Sequence, residues 1–147
     1  MEIRSFSAGD EDAVVELWKR CELTRPWNDP RKDIHRTLES GVGQLIVGVA
    51  EGTIVATVMV GYDGHRGWIN YLAVAPDHRR EGLGRRMMTR AEELLRELSC
   101  PKINLQVRTT NADAIGFYQR LGYTVDDVVS LGRRLEHDDR EVPPEET

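Results

Sequence analysis

The sequence is poor in cysteine and has no long apolar run. Its 147 residues include two cysteines. Cys21 and Cys100 lie far apart, outside any Cys-x-x-Cys or mixed Cys and His spacing, so no metal or dithiol site is expected. No stretch approaches the ~18 apolar residues that cross a membrane. Residues 1–5 lack the basic and apolar segments of a secretory signal. We therefore expect a cytoplasmic protein with no membrane partner.

An excess of positive charge is also absent. With 20 Lys and Arg against 25 Asp and Glu, the formal net charge is -5. Because nucleic-acid binding needs a concentrated basic surface, no nucleic-acid partner is expected. Five arginines nevertheless fall between positions 79 and 90. In an acidic chain, such a cluster indicates a small anionic ligand.

The apolar periodicity predicts one α/β domain over residues 1–136, followed by a charged, frayed tail over residues 137–147. Strands are predicted near residues 3–6 and at residues 45–50, 53–61, 68–74, 102–108 and 125–135. Four helices are predicted: one capped by Asp10, one capped by Asn28 or Asp29, one from Gly82 to Leu98, and one from Asn111 to Gly122. This order predicts a mixed sheet flanked by helices.

The most informative segment is a strand, Tyr71 to Val74, followed by Arg79-x-x-Gly82-x-Gly84 at the start of the longest helix. The first turn of a helix presents unpaired N–H groups and favours anions, and glycine lets backbone approach a phosphate. A nest for a pyrophosphate fits this pattern. A tight turn that needs glycine for its shape alone fits equally well. A Walker loop does not fit, since no Gly-Lys-Ser/Thr follows, nor does a dinucleotide fingerprint, since Met87 replaces its third small residue.

Two longer motifs extend this segment. Leu72-Ala73-Val74-Ala75-Pro76-Asp77-His78-Arg79-Arg80-Glu81-Gly82-Leu83-Gly84 resembles the central signature of the Gcn5-related N-acetyltransferase (GNAT) family. Asn111-Ala112-Asp113-Ala114-Ile115-Gly116-Phe117-Tyr118-Gln119-Arg120-Leu121-Gly122-Tyr123 is similar to the segment that follows in the ribosomal-protein alanine acetyltransferase-like subgroup. The resemblance implies a single-domain GNAT fold, with a mixed, mostly antiparallel sheet splayed at the cofactor site and about four helices. A homodimer is a possible family property.

The resemblance also implies a set of site residues and a co-substrate, acetyl-CoA. Backbone groups of Leu72, Ala73 and Val74 would pair with the pantetheine, and Arg79, Arg80, Glu81, Gly82, Leu83, Gly84 and Arg85 would surround the pyrophosphate. Asn111 would reach the cofactor, a role compatible with a plain helix N-cap. Tyr118 would be the general acid that protonates the departing thiolate. The alternative for Tyr118 is a core tyrosine on the stripe of Ile115 and Leu121.

The resemblance implies transfer of an acetyl group from acetyl-CoA to a primary amine by direct attack in a ternary complex. The acceptor, a small molecule or a protein or peptide amine, is open. Related enzymes often carry a basic Glu where this chain has Gln106, which cannot accept a proton. The alternative function is therefore a non-catalytic module that binds CoA or acyl-CoA.

Two loops are predicted to border the acceptor site. The first contributes Trp27, Asn28 and Asp29, and the second contributes Tyr62, Asp63 and His65. Aromatic rings beside carboxylates suit a cationic amine. The alternatives are that Trp27 packs over the second helix and that the polar residues only shape turns.

Overall fold

Five strands form one mixed sheet in the order β1-β2-β3-β4-β5. The computed structural model describes residues 1–139. The strands are β1 (Glu2–Ser5), β2 (Gly43–Ala50), β3 (Thr53–Tyr62), β4 (Gly67–Val74) and β5 (Ile103–Leu105). Neighbouring strands run antiparallel except β4 and β5, which are parallel. The predicted turn at Glu51-Gly52 joins β2 to β3, with φ of 50° and 76° at the two residues, the conformation of a type I′ hairpin.

Helices cover both faces of the sheet. They are α1 (Glu11–Arg20), α2 (Pro30–Glu39), α3 (Leu83–Glu97) and α4 (Ala112–Arg120). The predicted cap of α2 is confirmed at Asp29, whose carboxylate accepts the N–H of Arg31 at 2.9 Å. Asn111 caps α4 by accepting the N–H of Ala114 at 3.1 Å. Gly122, with φ of 98°, follows α4 as its predicted left-handed terminator.

Strand β3 lies at the centre and is buried on both faces. Val55, Thr57 and Met59 face α1 and α2, and Ala56, Val58 and Val60 face α3. An apolar run of this kind is expected of a strand covered on both sides. The two core layers are therefore separated by the sheet, and β4, the next strand, has α1 on one side and α3 on the other.

The prediction of a strand at residues 125–135 is wrong. Those residues have no regular secondary structure, and the predicted strand over residues 102–108 is shortened to Ile103–Leu105. Residues 125–135 contact the region of β5 through side chains and not through backbone hydrogen bonds between strands. The Asp126 carboxylate accepts from Lys102 and from Asn104, each at 2.9 Å. Because β propensity reflects packing against neighbouring strands, a β-like sequence without such pairing is not held as a strand.

The end of the described chain packs on the loop before α2. Arg134 donates to the Asn28 side chain at 2.8 Å, and the Asp138 carboxylate accepts the N–H of Asp29 at 2.8 Å and pairs with Arg36 at 2.7 Å. The predicted domain boundary after residue 136 stays a prediction, since residues 140–147 lie outside the described part. No helix within residues 1–139 is long and apolar enough to cross a membrane.

Asp10 differs from its predicted role, because its side chain does not cap α1. Its carboxylate accepts two bonds from Arg4, at 2.7 and 3.0 Å, and one from the N–H of Ser7 at 2.9 Å. The Arg4 hydrogen bond, followed by that of Ser7, lowers the pKa of Asp10 to about 2. This carboxylate therefore stabilises the fold in its charged form.

Asp10→Asn should lower the free energy of unfolding at pH 7 by about 1–2 kcal/mol, because it breaks a charge-assisted pair. The folded-state pKa lies below the ordinary Asp value, so the stabilisation is present above about pH 4 and is lost as the pH falls toward about 2. Urea unfolding at several pH values measures the difference between the two proteins. A difference that stays constant down to pH 2 would contradict this account.

Candidate functional site

The sheet opens between β4 and β5. Strand β5 pairs only with Gly67, Trp68 and Ile69 of β4. The rest of β4, from Asn70 to Val74, has no neighbour on that edge among the described residues. Unpaired strand edges bind extended chains by adding a strand. The predicted splay is confirmed, and it begins at Asn70.

A bulge interrupts the other edge of β4 at the same level. The register passes from Met59 opposite Asn70 to Thr57 opposite Ala73, so β4 has one extra residue. Tyr71 lies in the bulge with φ of 49°, a left-handed conformation that is uncommon for a residue with a side chain. Tyr71 and Leu72 therefore have no register partner on either neighbouring strand.

A buried hydroxyl holds this bulge. Thr57, which is fully buried, donates from its Oγ1 to the Tyr71 carbonyl at 2.8 Å and accepts the Trp18 Nε1–H at 2.9 Å. The Tyr71 ring stacks on Trp18, with ring centroids 3.7 Å apart, and its hydroxyl donates to Asp33 at 2.7 Å. Burial and the Asp33 bond raise the pKa of Tyr71 above its ordinary value. The bulge is thus held by side chains on the α1 and α2 side of the sheet.

The sequence-based prediction missed Thr57 and Asp33. Thr57 is the single polar residue within the run Val55–Val60, and a lone polar residue in an apolar strand is a signal that could have indicated it. A buried polar group needs a hydrogen-bond partner. Asp33 gives no such signal, because its contact with Tyr71 depends on how α2 lies against the sheet.

The turn before α3 has two left-handed residues, Arg80 with φ of 68° and Gly82 with φ of 76°. Gly82 occupies the N-cap position of α3, and no side chain in the described chain caps that helix. A Cβ on Gly82 would meet no atom within 4 Å. Successive backbone N–H groups in such a turn form an anion-binding nest. The turn is therefore an open cradle with uncapped N–H groups.

Gly84 serves a different purpose. A Cβ built on it would lie 3.1 Å from the Phe117 ring and 3.7 Å from Val74. Since Phe117 precedes Tyr118 in α4, this close approach positions α4 against both α3 and the end of β4. One glycine of the motif provides backbone conformation, and the other allows close packing.

Charge around the turn suits an anion. Arg79, Arg80 and Arg85 are exposed, and no hydrogen bond or ion pair within residues 1–139 engages their guanidinium groups. The other two arginines of the cluster have partners in the described chain: Arg86 donates to the Met1 carbonyl at 2.9 Å, and Arg90 donates to Glu93 at 3.2 Å. Three cationic side chains of this turn therefore have no partner within the described residues.

Tyr118 lies on α4, packed edge-on against Phe117 and Tyr123, with ring centroids 5.1 and 5.8 Å away. Burial raises the pKa of its phenol to about 12. The hydroxyl has no hydrogen-bond partner in the described chain, yet it is not a fully buried unsatisfied group. Tyr118 thus contributes its ring to the apolar cluster and keeps its hydroxyl free.

The first predicted acceptor loop is tied to the end of the chain. Trp27 is 43% exposed, and the Arg108 guanidinium lies 6.0 Å from its ring centroid. Asn28 accepts from Arg134, and Asp29 caps α2. Arg108 follows β5, so this contact joins the loop before α2 to the open side of the splay. Gln106, which also follows β5, is exposed and donates to Ser130.

The second predicted loop is placed elsewhere. Tyr62, Asp63 and His65 lie at the β3–β4 connection, next to the end of β4 that pairs with β5. Asp63 accepts the N–H groups of Arg66 at 2.7 Å and of His65 at 2.8 Å, and these bonds lower its pKa. No hydrogen bond, ion pair or ring contact in the described chain links these residues to Trp27, Asn28 or Asp29. The structure therefore shows no direct polar or ring contact between the two loops within the described residues.

An unpaired strand edge followed by an open turn at the start of a long helix is the arrangement that the resemblance to the GNAT class of acyl-CoA-dependent acetyltransferases implies. The chain belongs to this family: the model described as the acetyltransferase (GNAT) family matches residues 12–123. The family and the fold predicted from the sequence are confirmed, and acetyl-CoA is the co-substrate of the class.

Particular relatives agree with this assignment. The chain is 47% identical over 138 residues to acetyltransferase ECA0875 of Pectobacterium atrosepticum, covering 94% of the chain and 98% of that relative. A similar fold occurs in the aminoglycoside 6'-N-acetyltransferase AAC(6')-IG of Acinetobacter haemolyticus, with a TM-score of 0.76, 18% identity, and coverage of 92% and 100% of the two chains. The ribosomal-protein-S18-alanine N-acetyltransferase of Escherichia coli has a TM-score of 0.72, 23% identity, and coverage of 82% and 76%.

Proposed function

We propose that this enzyme transfers the acetyl group of acetyl-CoA directly to a primary amine within a ternary complex. The observation that carries the proposal is the continuous path from the unpaired edge of β4 to the open turn before α3. Acetyl-CoA has an extended amide-containing arm and an anionic pyrophosphate, which match those two features in order.

Each part of the path has a proposed role. The backbone of Leu72, Ala73 and Val74 would pair with the arm, since no strand in the described chain pairs with their outer edge. The turn from Arg79 to Arg85 would hold the pyrophosphate through backbone N–H groups and its free guanidinium groups. Asn111 uses its side-chain oxygen as a helix cap, which leaves its amide N–H₂ for the cofactor.

Tyr118 is the proposed general acid. A phenol whose pKa lies at about 12 is protonated throughout the physiological range. Its hydroxyl has no competing partner in the described chain, so its proton is available to the departing thiolate. Acetyl-CoA supplies the activated thioester, and the chain supplies the orientation and this proton.

The acceptor side is proposed on the α1 and α2 face of the sheet. There the Asp33 carboxylate accepts a hydrogen bond from Tyr71, the residue in the bulge of β4. Trp27 adds a partly exposed aromatic surface. Carboxylates and aromatic faces favour a cationic amine. The solved relatives named above are an aminoglycoside acetyltransferase and a protein alanine acetyltransferase, so both small-molecule and peptide amines are included in the proposal.

A free-CoA release assay tests this function. Purified protein is mixed with acetyl-CoA and a panel of polyamines, aminoglycosides, amino acids and N-terminal peptides. Acetyl-CoA binding is measured separately by calorimetry. Release of CoA above the rate without amine, seen with one class of amine, supports the proposal. If acetyl-CoA binds but no amine in the panel raises the rate of CoA release, a non-catalytic module is favoured.

Thr57→Val should lower kcat about tenfold with little change in the affinity for CoA. The substitution keeps the shape of the residue but removes the hydroxyl that holds the Tyr71 carbonyl, so the bulge loses one of its restraints. Thr57→Ser keeps the hydroxyl and should retain most of the activity. If both variants lose activity equally, then packing and not the hydrogen bond is the important contribution of this residue.

A further inference from the structure

The start of α2 lies beside the opening between β4 and β5. On the β4 side, the Asp33 carboxylate accepts a hydrogen bond from the Tyr71 hydroxyl at 2.7 Å. On the other side, the guanidinium of Arg108, a residue that follows β5, lies 6.0 Å from the centroid of the Trp27 ring. The loop before α2 and the first turn of that helix therefore contact both sides of the opening.

Asp33 is a carboxylate that can accept more hydrogen bonds than it has. Its neighbour Arg36 lies 3.5 Å away but makes shorter contacts to Glu136, at 3.0 Å, and to Asp138, at 2.7 Å. The Asp138 side chain is 1% exposed, whereas that of Asp33 is 24% exposed. A carboxylate has about four acceptor positions, and the Tyr71 hydroxyl uses one of them. Asp33 can therefore accept a hydrogen bond from a ligand.

The Tyr71 hydroxyl orients Asp33 without neutralising its charge. Burial, followed by the bond to Asp33, raises the pKa of Tyr71, so the phenol stays protonated and acts as the donor. The carboxylates of Asp138 and Asp29 add to the negative potential at this hydroxyl. Because opposite charges attract, a cation is the ligand that this position favours.

The Tyr71 side chain separates Asp33 from the backbone of β4. The Tyr71 ring stacks on Trp18 of α1, and its hydroxyl is the end that contacts Asp33. The edge of β4 from Leu72 to Val74 is where the cofactor arm is proposed to lie. Because a hydrogen bond spans about 3 Å, a nitrogen that reacts at that edge does not reach a carboxylate beyond the Tyr71 ring. A ligand of Asp33 therefore carries its charge at a distance from the reacting nitrogen.

We propose that the acceptor is an amine with a second positive charge, as diamines and polyamines have, and that Asp33 binds this second charge. The inference rests on the proposed acetyl transfer and names the substrate class of that site. Asp33 is then a residue that determines specificity and not a base, since the nitrogen that it binds stays protonated throughout.

The first nitrogen carries the chemistry. Its ammonium group releases one proton to water, and the neutral amine forms a bond to the acetyl carbon while the carbon–sulfur bond breaks. The thiolate takes the proton of Tyr118, and the proton that the acetylated nitrogen then loses restores the phenol. The second nitrogen only donates to Asp33.

Matched pairs of amines test the substrate class. Putrescine and cadaverine carry a second ammonium group, whereas butylamine and pentylamine have the same carbon chains without it. For CoA release by the wild-type enzyme, kcat/KM should be about tenfold or more higher for each diamine than for its monoamine, because a hydrogen bond to a charged group has about that effect. The difference should lie in KM, since both amines react through the same kind of nitrogen.

Substitution of Asp33 tests the residue. Asp33→Asn keeps the size of the side chain and an oxygen that accepts from Tyr71, but it removes the charge. It should raise KM for putrescine about tenfold and leave both KM for butylamine and the affinity for acetyl-CoA unchanged. Glu39→Gln removes one charge from the exposed end of the same helix and should keep the wild-type preference. Tyr71→Phe removes the bond to Asp33 but keeps the carboxylate, so it should still prefer the diamine.

Three results would overturn the inference and leave the acetyl transfer standing. The first is a wild-type enzyme that uses monoamines as readily as diamines, and the second is Asp33→Asn with the wild-type preference. The third is an equal loss of preference in Asp33→Asn and Tyr71→Phe, which would mean that Asp33 serves only to hold Tyr71. If no amine raises the rate of CoA release, the proposed function itself is overturned, and this inference with it.

Discussion

Tyr118→Phe is expected to lower kcat for CoA release by about a hundredfold or more and to leave the affinity for acetyl-CoA unchanged. General acids typically contribute about 10²–10⁴ to the rate, and phenylalanine keeps the ring but has no proton to give. The hydroxyl makes no hydrogen bond within residues 1–139, so its loss should not destabilise the fold. Steady-state kinetics and calorimetry measure the two quantities.

Tyr123→Phe is the matched control. Tyr123 packs against Tyr118, and its hydroxyl donates to Glu92 at 2.6 Å. Removing that hydroxyl should cost about 1 kcal/mol of stability and have little effect on kcat. Comparison of the two variants therefore distinguishes the loss of a hydroxyl without a hydrogen-bond partner in the described chain from the loss of a hydroxyl that stabilises the fold. If Tyr118→Phe kept the wild-type rate, or if the two substitutions lowered kcat equally, Tyr118 would not be the acid.

Local sequence signals predicted the helices and the turns well. Asp29 and Asn111 cap their helices because the oxygen of a short side chain can accept a hydrogen bond from the unpaired N–H groups at the start of a helix. Gly122 ends α4 and Gly52 forms the hairpin because left-handed backbone favours glycine. Each of these outcomes depends on neighbours within a few positions in the sequence.

Contacts between distant parts of the chain were not predictable in this way. The β-like residues 125–135 form no strand, because the outcome depends on pairing that the described chain does not provide. Asp138, assigned to a frayed tail, pairs with Arg36 about a hundred positions away. The bond from Thr57 to Tyr71 needs two strands in a shifted register. The splay itself was implied by a family resemblance, and its starting point at Asn70 came from the structure.

The two glycines of the motif, Gly82 and Gly84, show both what the local sequence predicts and what depends on contacts between distant parts of the chain. Their spacing predicted an anion nest or a turn shaped by glycine, and these alternatives could not be separated by sequence. The structure gives the two glycines different environments: open space beside Gly82 and the Phe117 ring beside Gly84. The open space beside Gly82 shows that glycine is needed there for its left-handed conformation and not for close packing, a requirement that both alternatives share. At Gly82 the requirement is backbone conformation, and no side chain in the described chain caps the helix that begins there.

Gly82→Val is therefore expected to weaken acetyl-CoA binding at least tenfold. A β-branched residue is strongly disfavoured at φ of 76°, and moving to negative φ would turn the N–H groups of the cradle away from the pyrophosphate. A left-handed conformation costs an ordinary residue about 1–2 kcal/mol, and about 1.4 kcal/mol corresponds to a tenfold change in affinity. Calorimetric titration with acetyl-CoA measures the loss.

Gly52→Val separates binding from stability, because Gly52 also has φ of 76° and no atom within 4 Å of a built Cβ. Both substitutions impose the same backbone strain, so thermal unfolding should show similar losses of stability. Only the turn before α3 is proposed to contact the cofactor, so only Gly82→Val should lose affinity. Equal affinities in the two variants would mean that the turn is a structural feature of the strand-to-helix connection, and the pyrophosphate would have to bind elsewhere.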